Sequence, residues 1–151
     1  KAQFHAVKGI LEGSLVPSMP QLSADENILY FAAIDAEGGR KSETPYPLKR
    51  QLYRVELGKG GEIEQLTFDA GYRNESPLLL KDEKHLIFGR ASAEAYDGKM
   101  EIWILDLLSG EETKLAEWTE PEPTNVWMSY KYNDYYGRGD WSNIFVVYHG
   151  Q

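Results

Sequence analysis

Two phrases recur in this chain, in the same order both times. The first reads MPQLSADENILYF from Met19 to Phe31 and returns as SPLLLKDEKHLIF from Ser76 to Phe88. Pro20 matches Pro77, Asp25 matches Asp82 and Phe31 matches Phe88, each at an offset of 57. The second reads QLYRVELGKGGEIEQLT from Gln51 to Thr67 and returns as MEIWILDLLSGEETKL from Met100 to Leu115. Leu52-Tyr53 aligns with Ile102-Trp103 at an offset of 50, and Leu66 with Leu115 at 49. The loop between the phrases therefore varies in length while the phrases persist. That is the signature of repeated supersecondary units, each too small to bury its own apolar faces alone.

Each unit reads as β-structure. Leu15 to Leu22 holds Pro17 and Pro20, which confine it to an edge or irregular strand. Ser23 to Asn27 is a turn, with Asp and Asn suited to side-chain bonds with the backbone. Ile28 to Ile34 (ILYFAAI) is apolar almost throughout, which predicts a strand buried on both faces. Gln51 to Leu57 alternates, with Leu52, Arg54 and Glu56 on one face and Tyr53, Val55 and Leu57 on the other. Gly58 to Gly61 makes a hairpin turn into an outer strand over Ile63 to Phe68. The second unit follows suit: a start at Ser76 to Leu80, a buried strand at His85 to Arg90, a third at Met100 to Leu107, an outer one at Thr113 to Trp118. Thr119 to Thr124 is a Pro-rich spacer. Beyond it the strands Asn125 to Tyr132 and Asn143 to Tyr148 read as the opening of a third unit.

At 151 residues the chain can bury the core of one domain, 1–151, with blade-like units at 15–68 and 72–118 and a tail at 119–151. A formal charge of -8 disfavours nucleic acid and anionic membrane, which call for a basic patch. With no cysteine, disulfides, thiolate metal sites and a thiol nucleophile are excluded. No apolar run approaches the ~20 residues of a membrane span. The chain begins at Lys1 and reads as a trimmed chain, a matured product or a piece of something longer.

The repeated phrases resemble the TolB-type β-propeller repeat, one of the WD40-like PD40 repeats, over roughly residues 15 to 118. In the first copy the matching residues are Pro20, Asp25, Leu29, Phe31, Tyr53, Val55, Leu57, Gly61, Glu62, Leu66 and Thr67. In the second they are Ser76, Pro77, Asp82, Leu86, Phe88, Ile102, Ile104, Asp106, Leu107, Gly110, Glu111 and Leu115. The chain departs from the pattern where an Asp-Gly turn is usual, having Asp25-Glu26 and Asp82-Glu83. The resemblance implies antiparallel four-stranded blades, two and part of a third, where closed propellers have about 4 to 8. A β-sandwich is the alternative all-β arrangement. Repeats of this type resemble those of envelope proteins that bind partner proteins and those of accessory domains attached to peptidases. Location in a bacterial envelope or outside the cell rests on that resemblance alone.

No catalytic motif stands out, neither a nucleophile elbow, nor H-E-x-x-H, nor a phosphate loop. We expect no catalytic residue, metal or cofactor in these 151 residues. His5 and His85 read as structural, and Asp35, Glu37 and Glu43 of the long loop 35–50 as solvated acids, although calcium takes such oxygens. Arg138-Gly139-Asp140 spells an adhesion tripeptide, for which a glycine turn is sufficient reason. The aromatic tail is the strongest binding candidate: Trp127, Tyr130, Tyr132, Tyr135, Tyr136 and Trp141, with Arg138 and Asp140 between them. Aromatics with polar tips suit protein interfaces and sugar-stacking grooves, and equally the core of an incomplete blade. The expectation is a non-catalytic binding or assembly module that recognises a partner, or itself, through blade-end loops. Two alternatives stand beside it: the propeller portion of a larger hydrolase, peptidase or polysaccharide-processing, with its catalytic residues elsewhere, and carbohydrate binding by the aromatic tail.

Overall fold

The computed structural model describes residues 15–35, 49–58, 61–93 and 99–119. They form two four-stranded antiparallel sheets, each a meander in chain order. The first runs β1 (Leu15–Leu22), β2 (Ile28–Asp35), β3 (Arg50–Glu56) and β4 (Glu64–Gln65). The second runs β5 (Tyr72–Leu79), β6 (His85–Ser92), β7 (Lys99–Asp106) and β8 (Glu112–Thr119).

Both sheets open with the same irregularity. The β1–β2 register shifts between Ser18 and Gln21, and the β5–β6 register between Glu75 and Leu78. Each bulge holds a proline, Pro20 or Pro77, which has no N–H for the ladder. The residue before it, Met19 or Ser76, sits at φ 52° or 51°. The turns that follow match as well. Asp25 accepts the Asn27 N–H at 3.1 Å, and Asp82 accepts the Lys84 N–H at 3.0 Å. Glu26 and Glu83, at matching places in the two turns, take left-handed φ values of 59° and 54°.

The apolar faces then fix the stacking. Tyr30, Ala32 and Leu52 of the first sheet pack with Leu79, Leu86, Phe88 and Leu105 of the second into one buried cluster. The opposite face of the first sheet carries Phe31, Ala33, Tyr53 and Val55, with the Phe31 and Tyr53 rings stacked at 5.7 Å. Successive residues of ILYFAAI thus serve the two clusters alternately, so the expected two-sided burial of β2 holds. Full burial of a side chain such as Phe88 or Leu52 is worth roughly 1.5–3 kcal/mol.

Two boundaries differ from the expectation. The outer strand of the first sheet is only two residues long, because the Thr67 hydroxyl takes the Leu52 N–H at 2.9 Å in place of a backbone carbonyl. The first strand of the second sheet begins at Tyr72, the expected start of its unit but four residues ahead of the strand start read at Ser76. Arg73, Asn74 and Glu75 look like linker by polarity, yet all three are buried strand residues.

Candidate functional site at the blade interface

What holds those polar residues inside is a chain of side-chain hydrogen bonds across the seam between the sheets. Asn74 on β5 donates to Gln51 Oε1 on β3 at 2.9 Å and to the Thr67 hydroxyl at 3.1 Å. Thr67 donates in turn to Gln51 Oε1 at 2.8 Å, and Gln51 Nε2 reaches the carbonyls of Asp69 and Tyr72. On its other side Asn74 Oδ1 accepts from Arg90 Nε at 2.8 Å, and the Arg90 guanidinium continues to Glu112 Oε2 at 2.5 Å. The same guanidinium lies 4.4 Å from the Trp103 ring centroid and 5.2 Å from that of Phe88, which fixes its plane. Buried polar groups joined this completely give a seam one preferred geometry.

Beside this chain Glu75 is paired with Arg50 of the first sheet and lies 3.3 Å from Arg73 Nε. Among the described residues, Glu75 Oε2 and the Nε atoms of Arg50 and Arg73 are buried without hydrogen-bond partners. Three backbone contacts complete the seam. The Ala24 N–H donates to Glu83, the Leu79 N–H to Gln21, and the Ser76 N–H points at Met19 Sδ.

A polar cleft of about 420 Å³ opens at the end of the second sheet, beside Gly71. Tyr72, Arg90, Lys99, Glu101 and Glu117 line it. Lys114 Nζ lies 2.6 Å from both Glu101 and Glu117. Burial opposes the charge of Glu101, but the bonds from Lys114 and Trp103 outweigh it and hold the carboxyl below its usual pKa. The Lys114 bond lowers Glu117 likewise.

The turns at the far end of this sheet carry His85, at the start of β6. Its Nδ1 lies 2.6 Å from Asp82 and its Nε2 3.6 Å from Asp106, so its contacts are with the two turns it joins. No group of three or more His, Asp or Glu suited to a metal occurs among the described residues. The aromatic candidates Trp127, Tyr130, Tyr132, Tyr135, Tyr136 and Trp141, with Arg138 and Asp140, lie outside the described residues, as do His5, Glu37 and Glu43. Sequence reasoning missed the seam. Its one available signal was the set of polar residues, Gln51, Thr67 and Arg90, at the ends of otherwise apolar phrases.

No protein-family model matches this chain, and no curated protein does. Among solved structures it is similar to a protein assigned as TolB from Agrobacterium tumefaciens, at 19% identity and a TM-score of 0.54, over 71% of this chain and 35% of that one. A prolyl endopeptidase also matches, at 16% identity and a TM-score of 0.45, over 70% of this chain and 14% of the enzyme. At such identity the TolB likeness is one of fold. The described chain is all-β, two propeller-type blades that do not close a ring, and it spans about a third of the TolB structure.

Proposed function

We propose that these blades belong to a TolB-like propeller scaffold that recognises and assembles with other protein surfaces and carries out no chemistry of its own. One observation carries this reading. Tyr30, Ala32 and Leu52 seat the first sheet on the second. By the repeat, their counterparts in the second sheet are Ile87, Gly89 and Ile102, on the face turned away from the first. Ile87 and Ile102, with Ile104 beside them, are only half-buried. The second sheet therefore offers again the kind of surface by which the first is already docked. A further blade fits that surface, from a longer chain or from another copy. The loop 35–50 and the turn 135–141 remain the candidate contacts for a partner protein.

Light scattering over a concentration series tests the reading, with Ile102→Glu as the comparison. Self-association that Ile102→Glu abolishes supports it. A monomer that Ile102→Glu destabilises by about 1 kcal/mol or more has that face covered within its own chain, which removes it as an assembly surface. A monomer at every concentration, with stability untouched by the substitution, sinks it.

A further inference from the structure

The cleft beside Gly71 lies apart from the apolar stacking surface, and what it holds is a matter of charge. Each ionic group on its wall is already matched. Arg90 is engaged by Glu112 and Asn74, both Glu101 and Glu117 by Lys114, and Lys99 stands 3.9 Å from Glu117. A charged ligand would have to break one of these pairs and leave its partner behind. A neutral ligand rich in hydroxyls would not, since each hydroxyl donates to a carboxylate and accepts from an ammonium. The cleft also has an apolar platform. Tyr72 is 36% exposed, and the Arg90 guanidinium lies 5.3 Å from its ring centroid, so the ring is held in place. The volume of about 420 Å³ lies within the usual span for small-molecule sites.

We propose that this cleft is a saccharide-binding site. A neutral pyranose lays its C–H face on Tyr72 and shares its hydroxyls among Glu101, Glu117 and Lys99. Among the described residues its lining runs from Gly71 to Glu117, and it adds a ligand class to the assembly role.

The test is a calorimetric and NMR titration of the full chain. The neutral probes are methyl glucoside, methyl galactoside and N-acetylglucosamine, and the charged ones glutamate, lysine and inorganic phosphate. The expected result is millimolar binding of at least one neutral sugar. Tyr72→Ala and Glu117→Gln should each weaken it at least about tenfold, and Trp141→Ala should leave it unchanged. Glu117 is exposed, so its substitution keeps the test valid if Tyr72→Ala unfolds the seam. The proposal is overturned if no neutral sugar binds, if a charged probe binds more tightly, if binding survives Glu117→Gln, or if Trp141→Ala abolishes it.

Discussion

Asn74 and Gln51 meet across the seam at 2.9 Å, both buried, one on the first strand of the second blade and the other on the third strand of the first. Asn74 uses its amide N–H on Gln51 and Thr67 and its carbonyl on Arg90. Replacing it with alanine leaves Arg90 Nε and part of Gln51 desolvated and without partners. Asn74→Ala should therefore cost on the order of 3 kcal/mol. Chemical denaturation reads this directly, and a loss under about 0.5 kcal/mol would mean the bond chain contributes little.

The two left-handed glutamates should respond differently to glycine. At Glu26 glycine removes backbone strain of roughly 1–2 kcal/mol and returns part of it as unfolded-chain entropy, so Glu26→Gly should stabilise by about 0.5–1 kcal/mol. Glu83 has the same backbone, but its carboxylate accepts the Ala24 N–H at 2.8 Å. Glu83→Gly should gain less. Equal gains in thermal midpoint would show that the Ala24 bond is worth nothing.

Apolar substitutions should separate the two faces of the second blade. Phe88 is fully buried in the seam, so Phe88→Ala should cost about 3–5 kcal/mol. Ile104 on the opposite face is half-buried, and Ile104→Ala in the monomer should cost less than half as much. Comparable losses from urea titration would place Ile104 in a closed core.

Acid should loosen the turns late. The Ser23 hydroxyl, then the Asn27 amide, lower the pKa of Asp25 to about 2. A carboxyl depressed on folding adds stability above its unfolded pKa, and that contribution is lost as pH falls from about 3.8 through about 2. Asp82, held down first by the Lys84 N–H, and Asp106, by the Ser109 N–H, shift in the same direction. An NMR titration of the Asp25 carboxyl carbon should show its midpoint near 2. A midpoint at or above 3.8 would mean that the Ser23 and Asn27 bonds are absent in solution.

Much of this fold could be read from pattern. Proline and aspartate at fixed offsets mark the bulge and turn of each blade, and the runs ILYFAAI and HLIF mark strands inside. What could not be read is the burial of Arg73, Asn74 and Glu75. Their partners, Arg50, Gln51 and Thr67, stand in the other blade, and no local pattern says that they will meet. The cleft was hidden within a single blade, because its wall gathers Tyr72, Arg90, Glu101 and Glu117 from four strands well separated in sequence. The aromatic tail is conspicuous in sequence and lies outside the described residues.

Among the described residues the bond chain at the seam has no copy elsewhere in the two blades. In the row where the second sheet pairs Asn74, Arg90 and Glu101, the first pairs Pro17, Ala33 and Gln51. The strands are duplicates; the joint is bespoke. A blade moved by recombination to another place in such an array would bring its half of the bond chain to a neighbour that lacks the other half. The order of the blades is thus locked by a handful of polar side chains that the repeat itself does not supply.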